Sequence, residues 1–230
     1  MAIKRHTFAA PDELADALAS AVANNLRLGI QTRGVAMLAL SGGSTPKRFF
    51  ERLSNVELDW QNVMITLVDE RWVEPSSNRS NAKLVQSTLL QNRATSAQFV
   101  PLWSGGDEPD DNAIAKTNRA LRELPAPFDA VILGMGNDGH TASFFPGGDA
   151  LHDALTAKGP ALAIRAPGAG EPRVTLTLPT LLSTRALYLH IEGTQKSAAL
   201  NHALGDGTVE DMPVRAVLRQ AQVPVQIYSC

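Results

Sequence analysis

Three short polar clusters gather the residues best suited to chemistry: Ser41-Gly42-Gly43-Ser44-Thr45, Asp69-Glu70-Arg71, and Gly134-Met135-Gly136-Asn137-Asp138-Gly139-His140. In the first, adjacent glycines let backbone N–H groups approach a ligand. Ser41, Ser44 and Thr45 add hydroxyl donors, and a helix N-terminus after Pro46 favours an anion. A tight turn with a capping hydroxyl would use the same residues, but a phosphate site is the favoured reading. The Gly-Lys-Ser/Thr ending of a Walker A loop is missing. His140 offers an imidazole, whose unperturbed pKa of about 6.5 lets it accept a proton near neutrality. Asp69 or Asp138 can orient such a ring, and Arg71 can hold an oxyanion or a phosphate. Lys196 falls in the first turn of a helix, where a cation opposes the dipole, which hints at an anionic partner, although for Lys196 or Arg173 taken alone a surface charge is the readier reading. Arg173 heads a strand and is a second candidate cation.

Residues Gly134 to Gly139 match G-x-G-x-x-G, yet a dinucleotide site is disfavoured. The match lies mid-chain, Asp138 would set a negative charge inside a pyrophosphate loop, and Pro146-Gly147-Gly148 cuts short any following helix. No second strand ending in Asp or Glu follows at the required spacing. His6, His152, His190 and His202 have no comparable setting and read as surface or packing residues. No H-E-x-x-H or clustered Cys/His pattern suggests a metal, and no G-x-S-x-G elbow suggests a serine nucleophile.

Composition narrows the classes further. The 230 residues are 44% hydrophobic and 19% charged, as in an ordinary globular protein. Lys plus Arg is 21 and Asp plus Glu is 23, a net charge of −2, so no basic field draws nucleic acid. The start has no apolar core of signal-peptide length and no later run could span a membrane, so the cytoplasm is expected. The single cysteine, Cys230, excludes an internal disulfide framework.

Positioning the clusters requires strands that end at them. Strand-like runs at 35–40, 63–68 and 129–133 each stop at one cluster. In an open parallel sheet such ends meet along one crevice, where ligands bind. Helices are expected at 11–28, after Pro46 with Ser44 or Thr45 as cap, at 80–90, 112–124, 194–204 with Thr194 as cap, and 213–220. Further strands are expected at 99–102, 161–164, 174–178, 186–191 and 223–228. The alternation predicts an α/β fold: a doubly wound, mostly parallel sheet with helices on both faces, in a single domain over 1–230.

Ser41-Gly-Gly-Ser-Thr-Pro46, Val68-Asp-Glu-Arg71, Ser80-Asn81, Gly134-Met-Gly-Asn-Asp-Gly-His-Thr-Ala-Ser143 and Arg173-Val-Thr-Leu-Thr177 together resemble the 6-phosphogluconolactonase family. The similarity runs in order from about residue 30 to residue 200. It implies a fold shared with glucosamine-6-phosphate deaminase and ribose-5-phosphate isomerase relatives. It also implies metal-free, cofactor-free hydrolysis of 6-phosphoglucono-δ-lactone in the oxidative pentose phosphate pathway. The substrate partner would be a phosphorylated sugar lactone, taken by a monomer or small homo-oligomer. The deaminase branch carries an Asn-Glu-Pro segment after its Gly-His, and its Glu serves acid–base work. This chain reads Phe144-Phe145-Pro146 there, and Phe cannot transfer a proton. A non-catalytic sugar-phosphate sensor would normally need an appended DNA-binding region, and no helix-turn-helix precedes Val35.

Overall fold

The computed structural model describes residues 3–230. Seven strands form one sheet in the order β1 (Ile3–Thr7), β10 (Val225–Ser229), β9 (Leu187–Ile191), β6 (Ala130–Leu133), β2 (Ala36–Leu40), β3 (Val63–Leu67) and β5 (Gln98–Phe99). Every neighbouring pair is parallel. β2, β6 and β9 are buried at every position. Unbroken apolar runs, rather than alternating ones, are what a strand covered on both faces requires.

From β2 the chain builds β3 and β5 on one side, then crosses to place β6 and β9 on the other. The direction of winding therefore reverses between β2 and β6. At such a switch point the loops leaving two adjacent strands part in opposite directions and open a crevice. Two of the three polar clusters follow these two strands.

The third cluster is a strand. β4 (Asp69–Arg71), β8 (Arg173–Leu176) and β7 (Ala161–Ile164) form a small antiparallel sheet, with Asp69 opposite Thr175 and Arg71 opposite Arg173. Val68 is where the chain changes sheets: its N–H donates to Leu40 O at 2.9 Å, and its carbonyl accepts from Leu176 N at 2.9 Å.

Helix α1 (Pro11–Arg33) begins as its sequence directs, with Pro11 at the start and Asp12 and Glu13 in the first turn. It runs past the expected end at Leu28. Arg33 pairs with the fully buried Asp129 at 2.5 Å, which ties down the last turn, and Gly34 closes it with φ 76°. α2 (Lys47–Ser54) starts after Pro46, but neither Ser44 nor Thr45 caps it. Thr45 Oγ1 instead accepts from Lys196 Nζ at 2.9 Å, a tertiary contact that competes with capping. α3 (Asn81–Thr88) is capped by Ser80, and α4 (Asp111–Arg122) by Asp110; the short α5 (Leu151–Thr156) and α6 (Leu178–Leu182) follow. α7 (Thr194–Leu204) has Gly193 at its cap position, so Thr194 is the first helical residue and caps nothing. α8 (Val214–Arg219) precedes the last strand. Strand β1 was not foreseen: Lys4 and Arg5 are exposed, and only its pairing with β10 makes it a strand. Among the described residues no helix is long and apolar enough to cross a membrane.

Candidate active site

The crevice between the strand ends is a cleft of about 220 Å³. Its wall contains Ser41, Gly42, Gly43, Ser44, Thr45, Asp69, Arg71, His140, Arg173 and Lys196, so ten of the eleven residues singled out from sequence meet there. The eleventh, Asp138, stands behind His140.

Asp138 Oδ1 lies 2.6 Å from His140 Nδ1 and also accepts the His140 backbone N–H at 3.1 Å. A carboxylate at Nδ1 selects the tautomer with hydrogen there and leaves the lone pair on Nε2. Hydrogen bonding to the imidazole holds the Asp138 carboxyl below the ordinary aspartate range, against the opposing effect of partial burial. The ring is also confined sideways. A Cβ on Gly136 would come within 2.3 Å of His140 Cε1 and Nδ1, so only glycine permits this approach. The Phe145 ring stacks on the imidazole, centroids 4.2 Å apart and planes inclined by 27°. The loop is anchored by Thr141 Oγ1 donating to Gly134 O at 2.7 Å and by Val214 N donating to Gly139 O at 2.9 Å.

The sequence left open which aspartate meets the imidazole, and the geometry separates them. Asp69 lies on β4 and turns to Ser143, whose Oγ donates to it at 2.6 Å, and to Arg173 at 3.6 Å. Its neighbour Glu70 points the other way, as alternation along a strand demands. The Glu70 carboxylate accepts from the backbone N–H groups of Arg71, Asn81 and Ala82 at 2.7–2.8 Å and from Ser80 Oγ at 3.0 Å. Burial pushes its pKa up, opposed by those donors. Glu70 thereby fixes the start of α3 to β4.

Lys196 and Arg173 are two cations of the cleft wall, the first against the glycine-rich loop and the second against Asp69. Lys196 is half-buried against Thr45, and burial lowers its pKa. Arg173 is 7% exposed, donates to Ala169 O at 2.8 Å, and has its pKa lowered by burial with Asp69 opposing. Its Nε is buried without a partner, as is that of Arg71, whose Nη1 donates to Arg79 O at 2.5 Å. Arg71, Arg173 and Lys196 thus bring three cations into the wall of a cleft that also contains the glycine-rich loop.

Two polar side chains of the wall, Asn81 and His190, were not among the residues chosen from sequence. Asn81 follows Ser80 at the start of α3. Its side chain donates to Asp69 O at 2.9 Å and presses on Gly42, where a Cβ would fall 1.8 Å from Asn81 Oδ1. His190, read as surface or packing, is 1% exposed and part of the cleft wall, with Nε2 2.9 Å from Glu192 Oε1. The available signal was its position near the C-terminal end of a central strand, where side chains border the crevice.

A doubly wound sheet with a glycine-rich loop, neighbouring cations and a carboxylate-backed histidine at its switch point defines a class: α/β enzymes whose small-molecule site lies at the strand ends. The chain belongs to the glucosamine-6-phosphate isomerase/6-phosphogluconolactonase family, whose model matches residues 9–225. It is 48% identical over 230 residues to the 6-phosphogluconolactonase of Rhizobium meliloti (strain 1021), covering 99% of each chain. The crystal structure of a 6-phosphogluconolactonase from Shewanella baltica superposes with TM-score 0.95 at 41% identity, covering 99% of this chain and 98% of that one. A monomeric glucosamine-6-phosphate deaminase superposes with TM-score 0.78 at 20% identity, covering 98% and 97%, so both branches share the fold.

Proposed function

We propose that the chain hydrolyses 6-phosphoglucono-δ-lactone to 6-phosphogluconate, the second step of the oxidative pentose phosphate pathway. The observation that carries this reading is the composition of one cleft: a carboxylate-backed imidazole beside a glycine loop flanked by cations, with the Phe145 ring, which cannot transfer a proton, packed against the imidazole. Hydrolysis needs one group that takes and returns a proton, whereas isomerisation with deamination needs more.

In this mechanism the loop 41–45, Lys196 and Arg173 hold the phosphate. Binding at this remote end positions the lactone for attack. His140 Nε2 takes a proton from water as the water oxygen bonds to C1. Arg71 or loop N–H groups stabilise the resulting oxyanion, worth about 2.7–4 kcal/mol per donor in comparable sites. The intermediate collapses by breaking the bond from C1 to the ring oxygen, and the imidazolium returns its proton to that oxygen. Asp138 holds the ring and stabilises its protonated form throughout. The work is done by one domain, in the cytoplasm, as a monomer or small homo-oligomer.

The decisive experiment adds purified protein to freshly formed 6-phosphogluconolactone and follows acid release. Acceleration over spontaneous hydrolysis is expected, and its absence would end the proposal. Ammonia release from glucosamine-6-phosphate would instead favour the deaminase branch.

A further inference from the structure

Phe145 packs against two residues of the cleft wall, His140 and Arg173. Its ring stacks on His140 at 4.2 Å, and the guanidinium carbon of Arg173 lies 5.3 Å from the centre of the same ring. It is 6% exposed although it lies only five residues beyond His140 in a segment of turns. The contacts on the imidazole divide the task of holding it. Asp138 restrains one ring nitrogen at the edge of the imidazole and gives no support to its faces. Gly136 limits one side by its backbone, and leaves the face covered by Phe145 to be closed by that ring. A flat aromatic surface is suited to this, because an offset stack fixes the plane of its neighbour and favours a cation over its face.

We infer that Phe145 is a positioning residue for the reaction: its ring fixes the plane of the His140 imidazole so that Nε2 faces the lactone carbonyl. This rests on the proposed lactonase reading and on His140 as its base. A base displaced by about 1 Å can lose on the order of a hundredfold in rate while substrate binding persists. The contact with Arg173 is the competing explanation: Phe145 would then serve phosphate recognition, and its loss would appear in KM. The two roles separate experimentally because unphosphorylated gluconolactone uses the base without the anion cradle.

The test compares wild type with Phe145→Leu, Phe145→Met and Phe145→Tyr, all checked for folding by thermal melts. Phe145→Met nearly preserves volume without a flat ring and serves if Phe145→Leu fails to fold. The expected result is a fall in kcat of roughly ten- to a hundredfold in the Leu and Met variants, with KM changed by less than about threefold. The fall should be the same for phosphorylated and unphosphorylated lactone, and Phe145→Tyr should recover most of it. Unchanged kcat in a folded Leu or Met variant overturns the inference, as does a loss confined to KM for the phosphorylated lactone. A readout independent of turnover is the NMR signal of His140 Hε1. The aromatic ring current should displace it in wild type and Phe145→Tyr, and the displacement should vanish in Phe145→Leu and Phe145→Met. If the wild type shows no lactonase activity but this displacement follows the aromatic ring, the functional reading fails while the packing argument stands.

Discussion

His140 is held by neighbours of different chemical kinds, and removing each has a distinct consequence. Replacing the imidazole itself in His140→Ala should lower kcat by about 10²–10⁴-fold with folding intact, measured by acid release under saturating lactone. Asp138→Asn keeps the shape but no longer favours the protonated ring, so kcat should fall while KM holds. The pair also contributes to stability in a pH-dependent way. Because the folded Asp138 carboxyl lies below its ordinary value of 3.8, its contribution is fully present above that value and is lost as pH falls through the lowered one. Urea unfolding of wild type and His140→Ala should therefore differ more at about pH 6 than at about pH 3. Equal differences at both values would show that the pair adds nothing to folding.

At the scale of elements, one buried carboxylate decides where β4 and α3 meet. Glu70 accepts from Arg71, Ser80, Asn81 and Ala82 and offers no free oxygen to the cleft. Glu70→Gln would turn an NH₂ group toward donors that need an acceptor. The unsatisfied N–H groups should cost on the order of 1–3 kcal/mol, read as a lowered midpoint in chemical denaturation. Activity per folded molecule should also drop, since Asp69 and Arg71 flank Glu70 on the same three-residue strand. A variant as stable and active as wild type would remove Glu70 from this role. Much of the element pattern was legible, because central parallel strands are unbroken apolar runs and helices carry their own repeat. What the sequence misplaced has a tertiary cause: Thr45 gave up its capping role to Lys196, α1 was extended by Arg33 on Asp129, and β1 exists through its partner β10.

Across the whole molecule, the cleft joins two sheets. Loops after β2 and β6 belong to the parallel sheet, while Asp69, Arg71 and Arg173 come from the antiparallel one. A ligand that spans the wall therefore links both sheets and should stabilise the fold as a unit. At about 100 times its Kd, 6-phosphogluconate should add about 2.7 kcal/mol and raise Tm by several degrees. Lys196→Ala and Arg173→Ala should lose most of that shift. An undiminished shift in either variant would place the anion elsewhere.

The sequence by itself determined the chemistry available and the strand ends that would carry it: the glycine loop at 41–45, the charged cluster at 69–71 and the histidine loop at 134–140. Composition and apolar runs are local properties, and they fixed the class of fold for the same reason. Tertiary structure decided which aspartate lies against the imidazole, because the turn that carries His140 brings Asp138 back onto the ring whereas strand pairing directs Asp69 toward Ser143 and Arg173. It also brought Phe145 onto His140 and set Asn81 and His190 in the wall. Those contacts depend on the register of strands and the path of turns, which no spacing of residue types encodes.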